Sequence, residues 1–112
     1  MIYTSYFGSK KWNYSNGISI ARYEPQWYKG FRCEELYPPD EILKLYKAGR
    51  INERTYTSLY YEQVLDRLNP DRMYSLLQGM ILLCYEKPGQ FCHRYIVAKW
   101  FREFDYPVFE LE

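Results

Sequence analysis

The sequence predicts a three-layer α/β domain, and three observations carry that expectation. "MILLCYE", residues 80–86, is a nearly continuous apolar run, the pattern of a strand covered on both faces and therefore central in its sheet. Residues 92–104, "CHRYIVAKWFREF", place Ile96, Val97, Trp100, Phe101 and Phe104 on one helical side and Lys99, Arg102 and Glu103 on the other. "PVFELE", residues 107–112, then reads as a last strand, so the C-terminal third is a β-turn-α-β unit whose crossover should be right-handed.

The remaining elements follow along the chain. "IYTSYF", Ile2 to Phe7, is β-branched and aromatic, stops at Gly8, and is expected to lie parallel and adjacent to "MILLCYE". "GISIAR", Gly17 to Arg22, is a second short strand entered through Asn16-Gly17. The residues between these two strands are too few for an easy helical crossover, which leaves their relative direction open. Residues 23–39, rich in Pro, Gly and aromatics, suggest a packed loop or lid.

Three helices come next. "DEILKLYKAG" has acids in its first turn, an apolar stripe at Ile42, Leu45 and Tyr46, and Gly49 as its stop. Asn52 caps "ERTYTSLYYEQVLDRL", in which Tyr56, Tyr60, Val64 and Leu68 recur every four residues. Asn69 caps "PDRMYSLLQ", with Pro70 at the first helical position and Gly79 at the end.

A chain of 112 residues is one domain, 1–112. Its net charge of +1 supplies no extended basic face, which argues against nucleic acid as a partner. The longest apolar run, Met80 to Cys84, is too short to span a membrane, and no signal-peptide pattern opens the chain, so a cytoplasmic location is expected. Three cysteines in a reducing compartment should remain thiols, with no structural disulfide. The anomaly is 14 tyrosines, a residue whose ring fills a core while its hydroxyl needs a partner, either in packing or in a ligand pocket.

"LLCYEKPGQFCHRYIVAKW", residues 82–100, concentrates the reactive side chains. Cys84 and Glu86 alternate onto one face of a strand, Lys87-Pro88-Gly89 breaks it, and Cys92, His93 and Arg94 open a helix. In an open α/β sheet, ligands collect at this carboxyl edge. A helix N-terminus with Arg94 beside it could bind phosphate or carboxylate, and Glu86 or His93 could move a proton. Cys92 at that N-terminus should be a more reactive thiol than Cys33. Each of these residues also has a structural reading: Cys84 and Cys92 as core, His93 as a satisfied hydrogen-bonder, Arg94 as a brace for Glu86. Cys33, Cys84, Cys92 and His93 are zinc-ligand types, but no CxxC pair exists and adjacent helical residues diverge by about 100°, so neither a metal nor another cofactor is predicted.

The strand ending in Cys84-x-Glu86, the Pro88-containing turn and Cys92-His93-Arg94 opening a helix together resemble the C-terminal signature of domain-of-unknown-function family 488. The similarity is specific over residues 81–101 and looser at "IYTSYFG" and "ISIARYEP". It implies a compact Rossmann-like α/β domain with a small, mainly parallel sheet of about four strands, and it brings no established reaction. Its pattern falls on Cys84, Glu86, Cys92, His93 and Arg94, with Arg22 as the counterpart of the family's second-strand basic residue. The chain lacks room for a helix between its first two strands, so "EPQWYKG", with Trp27 and Lys29, is expected to supply that wall.

Three functions are compatible with these residues. The first is binding of an anionic, phosphorylated, nucleotide-like small molecule, with Arg22, Lys29, Arg94 and Cys92 toward the anion and Tyr6 or Trp27 on the base. Any chemistry would be hydrolysis or transfer involving Cys84, Glu86 or His93. The second is a thiol enzyme or redox sensor using Cys84 and Cys92. The third is a non-catalytic interaction or sequestering protein with a tyrosine-rich surface. Oligomeric state is not legible.

Overall fold

The two strands with the clearest sequence signals lie side by side at the middle of one parallel sheet. In the computed structural model, which describes residues 1–111, β1 (Ile2–Tyr6), β2 (Gly17–Ser19), β3 (Phe31–Arg32), β4 (Ile81–Cys84) and β5 (Val108–Glu110) are ordered β3-β2-β4-β1-β5. Every neighbouring pair is parallel, and Tyr6 is in register with Cys84. The α/β fold is therefore as the sequence predicts, with five strands instead of about four. Glu112, the end of the predicted last strand, lies outside the described residues.

β4 is buried along its whole length, as a strand covered on both faces must be. Side chains alternate across a strand, so Leu82 and Cys84 face one way and Ile81 and Leu83 the other. The helices α1 (Asp40–Lys47), α2 (Glu53–Gln63), α3 (Pro70–Leu76) and α4 (His93–Glu103) gather on the Cys84 side. There α4 packs on β1, β4 and β5, while Tyr60 of α2 meets His93 and Tyr74 of α3 meets Phe101. Two loops cover the opposite face with aromatic rings: Trp12 and Tyr28 pack together, and Phe7 meets Tyr28 and Trp27 edge-on.

This second layer explains how β1 and β2 run parallel without a helix between them. Residues 7–16 cross the sheet as an irregular loop, held where the Trp12 indole N–H donates to the Phe7 carbonyl at 3.1 Å and Gly17 N–H donates to the Asn13 carbonyl at 2.8 Å. Gly17 is required there, because a Cβ would stand 2.5 Å from the Trp12 ring and 3.0 Å from Leu83.

The predicted caps are in place: Asn52 accepts from Thr55 N–H, and Asn69 from Asp71 and Arg72 N–H. The helix expected over 53–68 instead ends at Gln63 and tightens into a 3₁₀ turn over Leu65–Arg67. The turn buries both Val64 and Leu65, adjacent positions that a continuing α-helix would separate by about 100°. The stretch 23–39 is not all loop, since Phe31 and Arg32 pair with β2 as an edge strand.

The tyrosines largely serve the core. Buried Tyr60, Tyr28 and Tyr74 place their rings inside and donate their hydroxyls to the carbonyls of Leu36 (2.7 Å), Phe31 (2.6 Å) and Pro107 (2.9 Å). Among the described residues, no helix is long and apolar enough to cross a membrane.

Candidate functional site

The chain leaves β2 toward β3 and leaves β4 in the opposite direction, across β1 to β5. Between the carboxyl ends of β2 and β4 the outgoing connections thus part, the arrangement that opens a crevice in parallel α/β sheets. A cleft of about 110 Å³ lies there, lined by Ala21, Arg22 and Tyr23 after β2, by Cys84, Tyr85 and Glu86 at the end of β4, and by Cys92 and His93 at the start of α4. Leu43 and Lys47 of α1 and Pro38 close it. A neighbouring hollow of about 150 Å³ shares Leu43, Lys47, Glu86, Cys92 and His93 as walls.

Five predicted residues, Arg22, Cys84, Glu86, Cys92 and His93, therefore come together at the predicted edge of the sheet. The sulfurs of Cys84 and Cys92 meet at bonding distance at the cleft, where the sequence reading expects separate thiols. The physical reason is local. Cys84 ends β4 pointing toward the helices, and Cys92 is not in α4 but precedes it with extended backbone, φ −154° and ψ 144°. The intervening turn, with Gly89 at φ +90°, folds the second cysteine back over the first. Cys33 is the free cysteine, buried on another part of the core, and burial pushes its thiol pKa up.

His93 is buried, with Nε2 2.7 Å from the Ile20 carbonyl. A carbonyl only accepts, so Nε2 carries the proton and Nδ1 presents its lone pair, 3.9 Å from Cys92 Sγ. Burial, and to a lesser degree the charge of Arg94, hold its pKa down at about 4 against the upward pull of the Ile20 hydrogen bond, so the imidazole is neutral near pH 7.

Arg94 is placed differently from the sequence expectation. Its side chain is fully buried and all five of its N–H groups are engaged within the protein. Nε donates to Glu110 Oε1 (3.1 Å) and Nη2 to Glu110 Oε2 (2.8 Å) and the Tyr95 hydroxyl (3.0 Å). Nη1 donates to the Glu86 carbonyl (2.6 Å) and to Cys84 Sγ (3.1 Å). The guanidinium has no fork left for an external anion. Its carboxylate partner is Glu110 of β5, not Glu86, whose side chain is exposed at the cleft and lies beyond the end of β4.

Three other candidates stand apart. Trp27 stacks on Trp12 on the opposite sheet face, Lys29 is exposed and does not line the cleft, and Tyr6 is half-buried at the end of β1 without reaching it. Sequence reasoning missed Lys47 and Leu43, which join the cleft because α1 packs beside the turn, and it missed Glu110. The available signal for Glu110 was an acid in the strand that closes the same β-turn-α-β unit as Arg94.

Arg22 and Lys47 are cations at this cleft that make no ion pair among the described residues; the Arg22 Nε donates to the Pro38 carbonyl at 2.8 Å. Compared with family models, curated proteins and solved structures, the chain matches none.

Proposed function

We propose that this protein is a thiol-based redox protein, with Cys84 and Cys92 as a dithiol–disulfide couple at the carboxyl edge of the sheet. The observation that carries the reading is the junction of the two sulfurs in a cleft, with an Arg94 N–H on Cys84 and the neutral His93 beside Cys92. In a reducing compartment, which the sequence leads one to expect, a paired cysteine is a reactive couple more often than a staple.

The step is an exchange. Oxidation joins the two sulfurs and passes their two electrons and two protons to a substrate disulfide, whose S–S bond breaks to give a dithiol; the reverse reaction reduces the pair. Arg94 favours negative charge on Cys84 sulfur, and the Nδ1 lone pair of the neutral His93 faces the Cys92 sulfur as an acceptor for its S–H. Family-488 membership belongs to the same proposal, since Cys84, Glu86, Cys92 and His93, four of the residues of that resemblance, line one cleft.

Equilibration in dithiothreitol or glutathione redox buffers, followed by alkylation and peptide mass mapping, tests the couple. Cys84 and Cys92 should change state together while Cys33 stays a thiol. Independent labelling of the two, or no change across the range of potentials, removes the reading.

A second reading retains the anionic ligand, because Arg22 and Lys47 flank the same cleft without carboxylate partners. Small-molecule sites enclose about 300–1,000 Å³. Hollows of about 110 and 150 Å³ suit a phosphate-sized group better than a whole nucleotide. A thermal-shift comparison of inorganic phosphate, sugar phosphates and nucleotides decides it, with no stabilisation by any of them counting against the anion.

A further inference from the structure

We propose that the reduced Cys84–Cys92 pair and His93 form a three-ligand zinc(II) site whose fourth coordination position opens into the cleft. The inference rests on the redox couple, which supplies the state in which both sulfurs are free to bind.

The donor atoms of Cys84, Cys92 and His93 all lie within 4.8 Å of one another, and all three residues are buried. Tetrahedral zinc, with bonds of about 2.0–2.3 Å, holds its ligand atoms about 3.5–3.8 Å apart. The three donors therefore need side-chain adjustments of about an ångström or two, with the sulfurs parting once their bond is reduced. The sequence argument against zinc had two grounds, the absence of a CxxC pair and the divergence of neighbouring helical residues. The second does not apply here, because Cys92 has extended backbone and only His93 begins the helix.

A second observation points independently to a metal. Histidines that bind metals characteristically donate their other ring N–H to a carboxylate or backbone carbonyl, which sets the tautomer and aims the free nitrogen. His93 does this: Nε2–H donates to Ile20, and Nδ1 is left on the side of the two sulfurs. Arg94 adds an N–H···S contact to Cys84 while its charge is balanced by Glu110. Two thiolates, a neutral imidazole and Zn²⁺ sum to zero, so the buried group would carry no net charge.

Thiolate and imidazole donors in tetrahedral array select zinc over the harder magnesium or calcium. Three protein ligands with an open position is the pattern of a catalytic rather than a structural zinc, because a closed site would use four. The cleft supplies that opening, since Cys84, Cys92 and His93 all line it. Binding is balanced as Zn²⁺ replacing two thiol protons, after a dithiol reductant has supplied two electrons and two protons to the disulfide.

The test uses the full chain carrying Cys33→Ser, so that the third thiol cannot contribute. Reduced protein, held anaerobically, is titrated with cobalt(II) and then zinc(II), and bound metal is counted after gel filtration. One equivalent of zinc per reduced chain, none per oxidised chain, and cobalt spectra with thiolate charge-transfer and tetrahedral d–d bands are expected. His93→Gln and Cys92→Ser should each weaken binding by at least about tenfold, the low end of the cost of losing even an outer partner. Far-UV circular dichroism checks that each variant is folded, and if His93→Gln is not, Cys92→Ser decides. If the pair cycles between thiol and disulfide but the reduced protein takes up no zinc, the metal site is overturned and the couple stands. If zinc binds one to one but no reversible disulfide forms, the site stands and the couple fails. Equal uptake by both variants and the parent overturns the ligand set.

Discussion

Replacing Arg94 with methionine keeps an apolar stem of similar reach and removes the guanidinium. The Glu110 side chain is 18% exposed and Arg94 is 0% exposed, so the substitution leaves a largely buried carboxylate without its cation. Breaking a buried ion pair from one side costs about 3–5 kcal/mol. Glu110 can rehydrate in part and keeps its bonds from Thr4 (2.5 Å) and Tyr95 (2.9 Å), which places the expected loss at the lower end, about 3–4 kcal/mol. A domain of this size has about 5–15 kcal/mol in total, so the loss is a large share of the fold. At about 4 °C per kcal/mol, melting should fall by roughly 12–16 °C.

Urea and thermal unfolding of Arg94→Met, Glu110→Gln and the double variant measure this directly. Two buried partners that act on one another should show a coupling of about 1–3 kcal/mol in the double-mutant cycle. The competing expectation from sequence was that Arg94 meets an external anion, in which case its loss would scarcely alter the free protein. If Arg94→Met melts within about 2 °C of the parent and loses a response to phosphate that the parent has, Arg94 is a ligand residue and the bracing role derived from its contacts is wrong.

Gly17→Ala should destabilise by about 1–3 kcal/mol, because the new methyl overlaps Trp12 and Leu83; an unchanged urea midpoint would show that residues 7–16 are not seated as described. Tyr60→Phe leaves the Leu36 carbonyl without its donor in the core and should cost about 1–3 kcal/mol in chemical denaturation. The Glu110 carboxyl is pushed up by burial but pulled further down by hydrogen bonds from Arg94, Thr4 and Tyr95, and ends below its ordinary value of 4.5. A depressed carboxylate stabilises the fold above its unfolded pKa and loses that contribution as pH falls through the folded value. The parent should therefore lose stability more steeply than Glu110→Gln below about pH 4.5, and parallel acid-unfolding curves would count against the pairing.

How much of this was legible depended on whether the signal was local. Periodicity and capping are local, so "MILLCYE" as a central strand, the caps at Asn52 and Asn69, and α4 with its buried Ile96, Val97, Trp100 and Phe101 could be read directly. The carboxyl-edge cleft was also legible, because Cys84, Glu86, Cys92 and His93 are neighbours in sequence and Arg22 follows the adjacent strand. The partner of Arg94 was not, since Glu110 reaches it only after α4 returns the chain beside β1. Nor was the pairing of Cys84 with Cys92: helical periodicity assigned Cys92 to the buried stripe of α4, whereas its extended backbone turns the side chain toward the strand. Trp27 and Lys29 read as a pocket wall because composition cannot tell which face of the sheet a loop covers.

Arg94 links the stability of the fold to the chemical state of the site. One guanidinium holds the last strand through Glu110, the turn through the Glu86 carbonyl, and the cleft sulfur of Cys84. Any change that puts negative charge on Cys84 strengthens one of these contacts, and a charge-assisted hydrogen bond is roughly twice as strong as a neutral one. A Cys84 thiolate, free or metal-bound, would therefore draw Arg94 more firmly against β4 without releasing β5, because Nη1 serves Cys84 and the Glu86 carbonyl while Nε and Nη2 hold Glu110. A lysine at this position would have three donors instead of five and could not hold all three elements together. The need for a planar fork is thus structural before it is functional, and it explains an arginine in the first turn of a helix, where its charge opposes the helix dipole.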